Sequence, residues 1–142
     1  MNIVIDASAA VGLVLGITGT EIFTPLLEQA NLVVAPDLYV AEVASAIWKY
    51  RKADLVPMAR CEQILELAVS LPDRFESSSS LFLEAFALAC RHRHPVYDAL
   101  YLVLARRNNA SILTMDRRLA ALAEQLEIAV VTPLSPISIP KS

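Results

Sequence analysis

Four acidic side chains stand in surroundings that do not solvate them. Asp6 closes the apolar run NIVI, Glu42 is the one charge in LYVAEVASAIW, Asp98 opens DALYLVLA, and Asp116 follows SILTM. Glu42 has no charged residue at i±3 or i±4, so no local ion pair offsets its burial. An unpaired buried carboxylate is strongly destabilising. A shared divalent cation would relieve Glu42 and Asp98 together. Carboxylates without a matching set of histidines or cysteines suit Mg2+ or Mn2+, not a structural zinc. Each acid taken alone has a plainer explanation. Asp98 and Asp116 favour helix N-termini, and Asp6 could simply end a strand.

The elements around them decide whether the four can meet. NIVI at 2–5, LVVA at 32–35, SILT at 111–114 and residues 128–131 read as short buried strands, with a further edge strand at 74–77. Ser8 can cap a helix over 9–15, and a second helix covers 20–30. Asp37 is placed to cap a long helix running to about Ala53. Pro57 starts another that ends near Leu71-Pro72. The serine run 77–80 is a loop or cap before helices at 81–92 and 96–108, and Asp116 opens the last helix, to about Leu126. Strands of Ile, Val and Leu that alternate with helices predict an α/β fold with a mainly parallel sheet covered on both faces. In such sheets ligands bind beyond the carboxyl ends of the strands. Asp6 and Asp116 follow strands directly. Helices between parallel strands run back, so the first turns holding Glu42 and Asp98 lie at the same edge. The expectation is convergence of all four acids there.

Composition bounds the rest. The 142 residues are enough for one domain with a real core, 56% are hydrophobic, and the mean hydropathy is +0.50. The uncharged run from Ala7 to Thr20 is too short to span a bilayer. Met1 has no basic residue behind it and a charge falls at position 6, so no signal peptide is read. Cys61 and Cys90 lack CxxC spacing and are expected to be reduced and buried, in a cytoplasmic protein with no membrane contact. The net charge is −3, which by itself disfavours a nucleic-acid partner. With four acids withdrawn into a metal site, however, eleven acids face twelve bases and the outer surface is near neutral. His92 and His94 in RHRHP read as a solvated helix end, with Arg91 and Arg93 as possible phosphate contacts. No Gly-rich phosphate loop or nucleophile elbow is present.

The ordered set VID-x-S at 4–8, a lone helical glutamate in PDLYVAEVASAIWK, YDALYLVLA, and LTMDRRL at 113–119 resembles the PIN-domain ribonucleases, and among them the VapC-type toxins of toxin–antitoxin pairs. The resemblance covers Asn2 to Thr132, read as a PIN-like nuclease domain over 1–132 with a Pro-rich C-terminal tail over 133–142. It implies a three-layer α/β/α sandwich with strand order 3-2-1-4-5, and Mg2+- or Mn2+-dependent cleavage of RNA phosphodiesters. The acidic quartet it implies falls on Asp6, Glu42, Asp98 and Asp116, all as catalytic metal ligands, with Glu42 alternatively orienting the water. Ser8 and Thr114 match the small hydroxyl residues that support the first and last acids. Arg117 and Arg118 could steer the RNA backbone. The implied partners are an RNA substrate, a small antitoxin whose segment plugs the acid pocket, and a second copy in a homodimer packed near Trp48, Tyr50 and Met58.

Three rivals are weaker or remain to be separated. A receiver-like phosphoacceptor needs adjacent acids after the first strand, and here Ala7 follows Asp6. A D-x-D phosphatase needs an acid at position 8, which is Ser8. A catalytically silent PIN fold that only binds RNA or assembles is separated by Mn2+-dependent RNA cleavage with the purified protein.

Overall fold

The structure is a computed structural model and describes residues 1–133. Five strands form one parallel sheet: β1 (Asn2–Ile5), β2 (Leu32–Pro36), β3 (Arg74–Glu76), β4 (Ser111–Leu113) and β5 (Val130–Val131), in the order β3-β2-β1-β4-β5. Around it lie α1 (Ala7–Leu15), a 3-10 turn at Thr20–Ile22 leading into α2 (Phe23–Gln29), α3 (Leu38–Lys52), α4 (Met58–Val69), α5 (Ser78–His92), α6 (Val96–Asn108) and α7 (Arg117–Gln125). The expected α/β/α sandwich and strand order are therefore found.

Alternation along the strands builds two cores, since successive side chains point to opposite faces. Ile3, Ile5, Val33, Ala35 and Leu113 face α1, α3 and α4, while Val4, Val34 and Ile112 face α5, α6 and α7. Registers are tight: Val4 lies beside Val34 on one side and Ile112 on the other. Every residue of α6 from Ala99 to Ala105 is buried, because α6 lies against β1, β2 and β4 and is itself covered by α5. Among the described residues no single helix is long and apolar enough to cross a membrane.

Several local expectations change. Helix α1 starts at Ala7, capped by Asp6 and not by Ser8, because Asp6 Oδ1 accepts from the Ala9 backbone N–H at 2.9 Å. Asp37 precedes α3 but is itself helical and makes no side-chain cap there. It caps α5 instead, accepting from the Ser78 N–H at 3.2 Å and from the Ser78 hydroxyl. Those bonds hold its carboxyl below the ordinary range. The serine run is accordingly helical from Ser78 onward. The segment 20–30 divides into a turn and a shorter helix, and the last strand is shorter than the apolar run 128–131. Pro133 is buried, and a Cβ on Gly19, whose φ is +97°, would lie 3.0 Å from its ring. The tail otherwise lies outside the described residues.

Tyr39, fully buried on α3, donates its hydroxyl to the Ala68 carbonyl on α4 at 2.6 Å. Tyr39→Phe removes this buried bond and leaves the Ala68 carbonyl to the Leu71 N–H at 3.3 Å, so it is expected to lower stability by about 1 kcal/mol. Urea unfolding checks this, and an unchanged midpoint would mean that the hydroxyl adds nothing.

Candidate active site

Asp6 leaves β1 at its carboxyl end and is 5% exposed. Its Oδ1 accepts from the Ser8 hydroxyl at 2.7 Å as well as from Ala9, and its Oδ2 accepts from the Thr114 hydroxyl. Each hydroxyl oxygen also receives a backbone N–H from the loop after β4. Met115 donates to Ser8 Oγ and Asp116 donates to Thr114 Oγ1, both at 2.9 Å. The roles expected for Ser8 and Thr114 thus have a definite geometry: both orient Asp6, and through their second bonds both fix the loop that carries Asp116.

The other three acids each have a partner of their own. Glu42, half-buried in the second turn of α3, accepts at Oε1 from the Tyr101 hydroxyl of α6 at 2.7 Å. Asp98, in the first turn of α6, lies 2.9 Å through Oδ2 from His94 Nε2. Asp116 caps α7, accepting at Oδ1 from the Arg118 N–H at 2.9 Å and the Leu119 N–H at 3.3 Å. The acids share one edge and sense one another's charge, yet among the described residues no three acidic, histidine or cysteine side chains form a ready metal cluster. His94 and Tyr101 were not anticipated as site residues. RHRHP does not end as a solvated tail: Pro95 caps α6 and places the His94 ring, largely buried, one turn before Asp98. Tyr101, three residues after Asp98 in an otherwise apolar stretch, carried a visible signal as a phenol that burial obliges to find a partner.

The PIN domain pattern matches residues 3–125. The chain belongs to the PIN-domain family. It is 34% identical over 125 residues to Ribonuclease VapC3 of Pyrobaculum aerophilum, an alignment spanning 84% of this chain and 93% of that protein. It is 31% identical over 118 residues to Ribonuclease VapC1 of Mycobacterium tuberculosis, spanning 83% and 88%. These two matches place it among the VapC proteins of the family. The fold is similar to the crystal structure of PAE2754 from Pyrobaculum aerophilum, with a TM-score of 0.68 at 23% identity over 85% of this chain and 86% of that one. It is also similar to VapBC2 from Rickettsia felis, solved with a DNA fragment from the promoter, with a TM-score of 0.63 at 14% identity over 93% and 98%. At those identities the two structures speak to fold alone.

Electrostatics ties the PIN-domain acids together. Burial pushes the Asp6 carboxyl from 3.8 to about 6, against the opposing pull of its hydrogen bonds, and the Asp116 charge adds to the rise. Burial also raises Glu42 and Asp98; the Tyr101 and His94 bonds oppose it, and Asp116 raises both further. Asp116 therefore couples to all three. The Tyr101 phenol, buried beside Glu42, is held well above its ordinary range. Arg118 is near enough to favour the Asp98 anion. Arg117 and Arg118 are exposed in the first turn of α7. Arg93 sits in the left-handed cap of α5, one residue before His94, whereas Arg91 lines an outer cleft with Glu84, Arg106 and Leu126.

A carboxyl whose folded pKa lies above its unfolded one keeps its proton longer in the native state. Its ionisation therefore lowers stability as pH rises through the window from 3.8 to about 6, and the loss persists above it. For Asp6 this amounts to roughly 3 kcal/mol, and Glu42 and Asp98 act in the same direction. In chelator, the melting temperature is expected to fall between about pH 4.5 and pH 7, with Asp6→Asn flattening the fall. Calorimetric scans across that range check it, and a metal-free protein that gains stability over the window would contradict it.

Proposed function

We propose that this PIN domain is a Mg2+- or Mn2+-dependent endoribonuclease and the toxin of a type II toxin–antitoxin pair. The observation that carries the reading is four carboxylates, from four separate elements, coupled at the carboxyl edge of the sheet in a relative of the VapC ribonucleases. The donor set fits a hard dication, since all four are oxygen ligands; Cys61 is buried within α4, and Cys90, expected to be buried, is exposed on α5. Asp6, Asp98 and Asp116 are the proposed ligands. A bound dication would supply an activated water and neutralise charge on the scissile phosphate.

The chain's own groups do the positioning. Ser8 and Thr114 hold both oxygens of Asp6, His94 holds Oδ2 of Asp98, and Tyr101 holds Oε1 of Glu42. That leaves the second oxygen of Glu42 to orient the attacking water or add a ligand. Arg117 and Arg118 flank the acids and meet the RNA backbone, with Arg93, next to His94 in the chain, as a further phosphate contact. Arg91, turned toward its cleft with Arg106, has no role in this reading.

As a VapC-type toxin the chain would take a small antitoxin as its partner. A basic antitoxin side chain in the acid pocket would replace mutual repulsion by charge-assisted hydrogen bonds. For self-association, our reading places the interface on α5 in preference to the neighbourhood of Trp48, Tyr50 and Met58. Phe82, Leu83 and Phe86 give α5 a run of three exposed apolar side chains, whereas in the other region Trp48 and Met58 are exposed but Tyr50 is half-buried against the core.

Asp98→Asn is expected to abolish cleavage of RNA in Mn2+ while the metal-free protein melts at an equal or higher temperature, because one clustered anion is gone. Tyr101→Phe is expected to lose activity by the ~10–100-fold characteristic of a group that orients a ligand. RNA end sequencing and melts of both variants check this. An Asp98→Asn protein that cleaves normally but melts early would reduce Asp98 to a helix-end residue. Sedimentation is expected to show a dimer that Phe86→Asp converts to a species near 15.5 kDa.

A further inference from the structure

One side of α3 leads directly away from the acid edge. Glu42, Ser45, Lys49 and Lys52 recur at i, i+3, i+7 and i+10, so they lie along one stripe of the helix. At ~1.5 Å per residue, Lys49 lies ~10 Å and Lys52 ~15 Å from Glu42 along the axis. Beside the stripe stands Trp48, 57% exposed, with the Lys52 ammonium 5.0 Å from its ring centre. Arg51 is not part of this surface: it donates to the Val56 carbonyl at 3.2 Å and pairs with Asp54 at 3.4 Å.

We propose that Ser45, Trp48, Lys49 and Lys52 form the track along which single-stranded RNA is positioned as it enters the acid site. The proposal rests on the ribonuclease reading of that site. Cations that flank four carboxylates in a chain of net charge −3 favour the approach of a polyanion to them. The topology supplies two flanks. Asp6 ends the central strand β1; α7, with Arg117 and Arg118, follows the neighbour β4 on one side, and α3 follows the neighbour β2 on the other. The α7 arginines lie next to the acids, whereas the α3 lysines lie two and three turns away, where the strand leaves the site. Ser45, the small residue between Glu42 and Lys49, leaves the backbone of the strand room to pass. Lysines interleaved with an exposed indole are the composition of a single-strand site, where phosphates meet the cations and a base stacks on the ring. A protein-docking face would use the indole without needing two ammonium groups aligned with the catalytic edge. A base arriving on Trp48 would displace the Lys52 ammonium from the ring and leave it to a phosphate.

Trp48 is the one tryptophan of the chain, so its fluorescence reports this surface alone. The Asp98→Asn protein is titrated with a mixed-sequence single-stranded RNA of about 12 nucleotides. Saturable quenching is expected. Lys49→Gln/Lys52→Gln in the same background is expected to reduce the slope of log affinity against log salt by about 1.4, two single-strand phosphate contacts. RNA that binds with unmoved fluorescence and an unmoved salt slope overturns the track, and is the result a protein-docking role for Trp48 would give. Wild-type cleavage with a silent Trp48 removes the track and leaves the ribonuclease reading intact. Quenching without cleavage of any RNA by the wild type removes the ribonuclease reading and retains the track as a binding surface. RNA neither bound nor cleaved removes both.

Discussion

The site depends on one buried anion and the directions it imposes on its donors. Ser8 and Thr114 could each turn their hydroxyl proton several ways. Because each oxygen already receives a backbone N–H, from Met115 and from Asp116, the proton of each is committed to an oxygen of Asp6. The carboxylate thereby joins the end of β1, the first turn of α1 and the loop after β4 into one unit. Away from solvent these charge-assisted bonds are stronger than the same contacts at a surface. The short patterns D-x-S at 6–8 and T-x-D at 114–116 are thus two halves of one device. The second acid of the site takes its position from the first, because the N–H of Asp116 is held by the hydroxyl that Asp6 orients.

Every other acid at this edge is also oriented by a donor that is neither lysine nor arginine. A phenol holds Glu42, an imidazole holds Asp98, and two backbone N–H groups hold Asp116. A lysine or arginine at any of those positions would satisfy the carboxylate better and would compete with a dication for it. The hydroxyl, phenol and backbone N–H donors fix rotamers and leave net negative charge. The cost is the burial of these carboxylates, with their mutual repulsion added to it, and both raise the carboxyl pKa values; it is the usual expense of a preorganised polar site in a fold stabilised elsewhere.

The strands and the edge at which the acids meet were legible in the sequence because apolar runs of Ile, Val and Leu punctuated by single acids have few structural solutions. The partners of those acids were less so. Glu42 has no cation within four residues, which is correct, but its actual partner lies 59 residues away and is a neutral phenol. Helical periodicity carries no information about which side chain faces it across a helix pair. His94 was hidden by polar neighbours in RHRHP, although Pro95 starts a helix and so sets His94 four residues before Asp98. Capping was misread at both Ser8 and Asp37 for one reason. A short acidic or hydroxyl side chain near a helix start can serve the adjacent helix or a distant one, and only the tertiary arrangement chooses. Asp37 serves α5, 41 residues on.

The high apolar content has a similar resolution. An apolar fraction of 56% invites a large subunit interface as its cause. Much of it is absorbed by a sheet covered on both faces and by α6, which buries seven consecutive residues from Ala99 to Ala105. A helix enclosed that completely cannot slide or tilt without opening voids in a close-packed core. Its first turn is held as firmly as its middle, and that turn carries Asp98. A solvated helix could present the same carboxylate at the same edge, but with the rotational freedom of a surface element. Burial of α6 is what gives Asp98, and Tyr101 one turn further on, fixed places opposite Glu42 and Asp116. The charge at the head of an apolar helix is therefore consistent with the burial behind it. The apolar residues set the position, and the acid uses it.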